Sequence, residues 1–200
     1  MAKANWLVVT PASGSGNKEV SVKSGAEHTG RSARTSILTF KAAGVDDVPR
    51  TVIQAGKPEY VDIEDSASVP KAGKTITISG ISNSKKLTFS LGTGDLAISL
   101  PANYTANSVS TANGADIAGD PGAGAAYNFS ISIQVPPNET VEEQTRQIIV
   151  TDEGGHQDVC ALTLAAGDAY LRVTIGDINL DYQGTPVSVQ VESNVAWTVE

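Results

Sequence analysis

Residues 129–133 read FSISI, an alternation of apolar and polar side chains that is typical of a β-strand with one buried face. The same alternation occurs at residues 18–22 (KEVSV), 75–78 (TITI) and 186–191 (PVSVQV). No segment has a capped apolar stripe of helical period. We predict fourteen strands, and so many short strands favour an all-β fold of β-sandwiches. They lie near residues 6–9, 18–23, 34–41, 48–54, 60–64, 74–79, 85–91, 96–99, 128–135, 146–151, 158–164, 170–175, 186–191 and 196–199.

The composition indicates a folded, acidic protein with material for about two domains. Hydrophobic residues make up 40% of the 200 residues, and 14 Lys and Arg face 22 Asp and Glu, a net charge of −8. This charge disfavours nucleic acid as a partner. No apolar run approaches the roughly 18 residues of a membrane helix, so we expect no membrane insertion.

The residues that carry chemistry are few and scattered. Cys160 is the single cysteine, which excludes an internal disulfide, and we expect it to be a buried structural thiol. His28 and His156 both lie in predicted exposed turns without a second ligand at a metal spacing. We read the acidic groups as solvated turns, with a loop-bound Ca²⁺ as the alternative. We therefore predict no catalytic residue, no metal and no cofactor, and a protein that is not an enzyme.

An internal repeat organises the chain. Residues 73–78 (GKTITI) match 184–189 (GTPVSV), and Ser82-Asn83 match Ser193-Asn194, both at an offset of 111. Residues 10–12 match 100–102 at an offset of 90. The change of offset places an insertion of about 20 residues near 103–126, whose Ala, Gly, Asn, Ser and Thr content predicts a flexible loop, a tip or contact loop.

The repeat predicts one complete module and two halves. Residues 59–168 hold seven predicted strands, residues 1–58 hold only the last four strands of a module, and residues 169–200 only the first three. A half sandwich leaves sheet edges and an apolar face uncovered. Three solutions remain open: the halves pair between chains, the halves pair within one chain, or further residues complete the last module.

If the halves pair, alternating strand residues carry the contact. On the donor side we predict Val187, Val189, Val191 and Trp197, and on the acceptor side Trp6, Val8, Val20 and Val22. Trp6 and Trp197 align with Leu96 and Leu87, and replacement of a ring by an aliphatic side chain is typical of core packing. The predicted partners are other protein chains, either further copies or capsid proteins.

Residues 6–17 (WLVVTPASGSGN), 34–40 (RTSILTF) and 51–56 (TVIQAG) resemble the second half of a BACON domain, the immunoglobulin-like module common in gut Bacteroidetes. Residues 184–199 resemble the first half of the same domain. The middle module departs from the pattern with Leu96 in the place of Trp6, Ala165 in the place of Gln54, and the insertion. The resemblance implies tandem Ig-like sandwiches of seven strands.

For function, the resemblance implies two settings. Most BACON domains belong to secreted or surface glycan-utilisation proteins, and others occur in crAss-like phages, where Ig-like modules decorate virions. The chain starts at Met1 without an export signal, which favours a virion protein made in the host cytoplasm, such as a head fibre or capsid decoration. The alternative is a glycan-binding module at the bacterial surface. Tyr104 and Tyr182, in predicted loops, are the candidates for glycan or partner contact.

Overall fold

The structure, a computed structural model, describes residues 3–200 and is nearly all β, which confirms the predicted class. No helix in this range is long and apolar enough to cross a membrane. The strands are β1 (Leu7–Thr10), β2 (Ser21–Ser24), β3 (Arg34–Phe40), β4 (Val48–Gln54), β5 (Val61–Ile63), β6 (Ser66–Val69), β7 (Lys74–Ser82), β8 (Leu87–Gly94), β9 (Asn103–Ala106), β10 (Val109–Ala112), β11 (Tyr127–Val135), β12 (Gln144–Asp152), β13 (Gln157–Leu164), β14 (Leu171–Val173) and β15 (Val191–Ser193), and the helical turn is α1 (Pro121–Gly124).

Strands β5 to β13 form two sheets around one hydrophobic core, which we call the central sandwich. One sheet has the order β10-β9-β11-β7-β5, and the other has the order β6-β13-β12-β8. The pairings are antiparallel except for β13 with β6. In β11 the alternation seen in the sequence appears directly, because every second side chain from Tyr127 to Val135 is buried.

The core draws on both sheets and has Phe89 near its middle. The Phe89 ring centroid lies 5.1 Å from that of Tyr104 and 5.9 Å from that of Phe129. Each large apolar side chain that is fully buried here contributes about 1.5–3 kcal/mol. The core residues include Ile63, Ile78, Leu87, Phe89, Leu96, Ile131, Ile133, Ile148, Val150, Leu162 and Leu164.

The segment 103–126, predicted as a flexible loop, instead carries regular structure. Strands β9 and β10 form a hairpin on the edge of the first sheet, with Asn107 and Ser108 at φ of 48° and 66° in its two-residue turn. Tyr104 and Ile117 are buried in the core. The Gly, Asn and Ser residues of this segment do form turns between its strands. The segment packs on the sandwich because Tyr104 and Ile117 bury apolar surface there.

The ends of the chain form smaller sheets. In the N-terminal segment, residues 3–58, β1 pairs with β2 and β3 pairs with β4. In the C-terminal segment, residues 169–200, β14 pairs with β15. Two predicted strands, near 96–99 and 196–199, are not strands in the described structure, and β6 was not predicted.

Candidate assembly interface

The two hairpins of the N-terminal segment leave an open groove between them, lined by apolar and polar residues. The groove has a volume of about 420 Å³, and its walls include Val9 and Val20 on one hairpin and Leu38 and Phe40 on the other. A second groove of about 160 Å³ continues past Trp6, Val22 and Val52. Phe40 and Val22 remain exposed. This face therefore combines uncovered apolar side chains with polar ones.

Three of the four predicted acceptor residues line these grooves, and the fourth does not. Trp6 and Val22 line the smaller groove and Val20 the larger one. Val8 pairs with Lys23, whereas Val9 pairs with Val22. Directly paired residues share a face of a sheet, so Val8 lies on the face away from Val22. The missed residue is Val9, which only the β1–β2 register reveals.

The predicted donor residues lie in a segment with little covering. Val187 and Trp197 are exposed, and Val189 and Val191 are half-buried. Val191 pairs with Val173 in the β14–β15 ladder. The predicted strand at 186–191 is regular only from Val191 onward.

Comparison with the central sandwich shows what these residues lack. Leu87 is 0% exposed, but its repeat equivalent Trp197 is 48% exposed. Phe89 is 3% exposed, whereas its equivalent Val199 is 84% exposed. In the central sandwich, strands β6, β7 and β8 pair with β13, β11 and β12 and close the core. No strand ladder in residues 3–200 joins the C-terminal segment to the N-terminal segment.

Two repeat-equivalent asparagine side chains, Asn83 and Asn194, join the central sandwich to the N-terminal and the C-terminal segment. The Asn83 side chain accepts from Tyr60 N at 3.0 Å and donates to the carbonyls of Thr29, Lys57 and Pro58. Asn194 accepts from Tyr170 N at 2.9 Å and donates to the carbonyls of Glu139 and Asp168.

The preceding serines repeat as well. Ser82 Oγ donates to Tyr60 O at 2.7 Å, and Ser193 Oγ donates to Tyr170 O at 2.8 Å. A cation also lies over each tyrosine ring, Lys57 over Tyr60 and Arg172 over Tyr170. Tyr60 and Tyr170 therefore lie at the two junctions between the central sandwich and the terminal segments.

Arg31 ties the N-terminal segment to the inserted segment. Its guanidinium donates to both carboxylate oxygens of Asp120 and to the Asn83 carbonyl, while the backbone N–H groups of Arg31 and Ser32 donate to Gly122 and Ala123. The hydrogen bond from Arg31 lowers the pKa of Asp120 and raises that of Arg31. A Cβ on Gly122 would lie 2.0 Å from Asn83 O, so the close approach requires glycine.

The two tyrosines proposed for recognition have opposite environments. Tyr104 is buried against Phe89, and its hydroxyl lies beside the Leu87 backbone without a well-formed hydrogen bond to any residue in 3–200. Its ring is closed to a glycan or a partner in this fold, so that prediction is wrong. Tyr182 is 95% exposed beside a turn in which Asp181 accepts from the backbone of Gln183 and Thr185.

The histidines and the cysteine have structural environments. His28 is buried, contrary to the predicted exposed turn, and its Nε2 lies 2.7 Å from Ser32 O. Asn138 makes the equivalent contact to Glu142 O, also at 2.7 Å. His156 is exposed beside Asp152. Burial raises the pKa of Cys160 to about 11. Residues 3–200 contain no group of three or more His, Cys, Asp or Glu placed to hold a metal.

The terminal segments carry opposite formal charge. Residues 1–58 contain eight Lys or Arg and four Asp or Glu, a balance of +4. Residues 169–200 contain one Arg and four Asp or Glu, a balance of −3. Two surfaces of opposite sign attract each other at low ionic strength.

Comparisons with known proteins add little to this description. No protein-family model matches the chain, and no curated protein matches it. Among solved structures, the chain is similar to an endo-fucoidan hydrolase from glycoside hydrolase family 107, at 13% identity and a TM-score of 0.30, over 82% of this chain and 26% of that chain. The chain thus spans about a quarter of that enzyme, and a likeness at this TM-score carries no weight for fold or function.

Proposed function

We propose that this protein is a non-enzymatic structural protein that assembles with neighbouring chains by strand completion. The observation that carries the proposal is the open groove between the hairpins of the N-terminal segment, in which Phe40 on β3 is exposed whereas Val150 on β12 is buried in the central core. An uncovered apolar face with free strand edges binds further strands.

In this proposal the chain is a series of Ig-like modules of the BACON type. The central sandwich supplies seven module strands, β5 to β8 and β11 to β13, with the β9–β10 hairpin as an insertion. The N-terminal segment is the second half of a module and the C-terminal segment the first half. The repeated contacts of Asn83 and Asn194 support this equivalence.

We propose a phage virion as the setting, with the protein as a head fibre or capsid decoration. This part rests on the resemblance to BACON domains alone. An antibody raised against the chain should label intact particles of a phage that encodes it. Absence of the chain from purified particles, by mass spectrometry, contradicts the virion setting and leaves assembly itself to its own test.

The assembly is tested by the mass of the 20.6 kDa chain in solution, measured by light scattering over a concentration series. We expect masses that grow with concentration or a discrete ring. A chain without residues 170–200 should remain monomeric, and hydrogen exchange should be faster in residues 3–58 of this variant. A full-length chain that stays monomeric at all concentrations contradicts the proposal.

Glycan binding is the second candidate, favoured by one observation. The Tyr182 ring is exposed over nearly its whole surface, and a flat exposed ring can stack on the C–H face of a sugar. A glycan array with the wild-type chain and a Tyr182→Ala variant tests this function. Binding that is present in the wild type and lost in the variant supports it, and equal binding by both contradicts a role for Tyr182.

A further inference from the structure

Resting on the proposed function, we infer that the neighbour at the N-terminal groove is the C-terminal segment of a second copy of this chain, held in one defined register. Residues 185–193 of one copy pair antiparallel with residues 16–24 of the next. Val187 then lies opposite Val22, and Val189 lies opposite Val20. The result is a composite sandwich built from two chains.

The register follows from the ladder between β7 and β11 in the central sandwich. There Ile76 pairs with Ile133, and Ile78 pairs with Ile131. An offset of 111 carries residues 76 and 78 to Val187 and Val189, and residues 133 and 131 to Val22 and Val20. The same offset relates Ser82-Asn83 to Ser193-Asn194, whose hydrogen bonds are equivalent.

Both strands have the required edge free in the described structure. Strand β2 pairs on one side with β1, and β15 pairs on one side with β14. In the proposed register β2 lies opposite residues 185–188, and β15 lies opposite residues 16–18. Both strands therefore lengthen when they pair, and the sheet has the order β1-β2-β15-β14. In the central sandwich the equivalent strands β7 and β5 occupy the same positions beside β11. The backbone N–H and C=O groups along the two free edges then gain partners.

The open groove fits the remaining donor side chains. Leu38 and Phe40 line it from β3, as Ile148 and Val150 line the central core from β12. In the central sandwich the start of β8, with Leu87 and Phe89, pairs along β12. Trp197 and Val199 are the repeat equivalents of Leu87 and Phe89, so they are the side chains that enter the groove of about 420 Å³.

A second copy fits better than an unrelated partner for two reasons. The acceptor segment carries +4 and the donor segment −3, so the two surfaces are complementary in charge. The donor strand β15 is also ordered before it binds a partner, because Asn194 and Ser193 hydrogen-bond to Tyr170 and Asn194 hydrogen-bonds to the central sandwich. Such preorganisation reduces the ordering cost of binding.

Paired cysteines test the register directly. One preparation carries Val22→Cys and a second, with a different tag length, carries Val187→Cys. Opposed residues in a sheet bring their Cβ atoms to about 4.5–5.5 Å, so mild oxidation should give a covalent dimer that contains one chain of each tag length. The matched control mixes Ser21→Cys with Val187→Cys. A shift of one residue turns the side chain to the other face, so this control should cross-link at least tenfold less.

Each outcome decides between the register and the assembly. Cross-linking in the matched pair alone supports the inference. If the mass in light scattering grows but the control pair cross-links as well as or better than the matched pair, the register is wrong and strand completion between chains is still supported. Monomeric chains without cross-linking overturn both. A cross-link formed within one chain, in a double variant of Val22→Cys and Val187→Cys, also overturns the inference, because it shows completion within the chain.

Discussion

Replacement of Trp197 by alanine should weaken assembly much more than it affects the folded monomer. In the described structure about half of the Trp197 side chain is exposed, and the equivalent Leu87 is fully buried in a closed core. In the proposed assembly a neighbouring chain covers the exposed part of this side chain.

The size of the effect follows from the area. A buried tryptophan covers about 150–250 Å², so an exposure of 48% leaves about 100 Å² to be buried on assembly. At about 25 cal/mol per Å² this is about 2.5 kcal/mol. A loss of that size raises the dissociation constant about 60-fold. Trp197→Leu, which restores the side chain of the equivalent position, should lose less than half as much.

Sedimentation velocity over a dilution series measures the dissociation constant of each variant. Tyr182→Ala is the matched control, because it removes an aromatic ring of the same segment that is fully exposed and has no repeat equivalent. We expect the control to assemble like the wild type. If Trp197→Ala and Tyr182→Ala have the same dissociation constant as the wild type, the ring is not buried on assembly and the reasoning from Leu87 fails.

Three further predictions concern the central sandwich and its contact with the N-terminal segment. The Arg31 guanidinium lowers the pKa of Asp120, so this contact stabilises the fold above the unfolded-state pKa of about 4, and the stabilisation is lost as the pH falls through the lower folded-state pKa. In the Asp120→Asn variant at pH 7, amide exchange at residues 31 and 32 should be faster than in the wild type. Unchanged exchange would refute a role for the pair. Tyr104→Phe removes a buried hydroxyl without a well-formed hydrogen bond in residues 3–200, so thermal unfolding should occur at an equal or higher temperature, and a loss above about 1 kcal/mol contradicts this. Cys160, buried and with its pKa raised to about 11, should resist alkylation at pH 8 in the folded chain, and labelling within minutes would show that β13 opens.

The sequence was sufficient for features that depend on local pattern and failed where the third dimension decides. The alternation in β11 predicted its buried face because a strand presents alternate side chains to one layer. The faces of Val8 and Val9 depend on the register of β1 with β2, and apolar residues at both positions conceal it. His28 is buried because the turn around it closes onto Ser32 O, a contact that its polar neighbours do not reveal. Tyr104 joined the core through a hairpin whose composition is that of a loop.

The proposed contact has a consequence for the shape of the assembly. Donor and acceptor are different surfaces, so an open row of copies always keeps one free donor and one free acceptor. The row either grows as a filament or closes into a ring, and the smallest ring is a dimer in which two chains exchange their C-terminal segments. Which of the two forms depends on the rotation from one module to the next. Asn83 and Asn194 accept from equivalent tyrosine N–H groups at the two junctions of this chain, whereas the Arg31–Asp120 pair belongs to the first junction alone. In the proposed assembly every copy joins the next through the same donor and acceptor surfaces, so the step from one copy to the next is constant. A repeated step produces a regular helical filament unless a whole number of steps closes the circle, and electron microscopy of the assembled chain distinguishes the two.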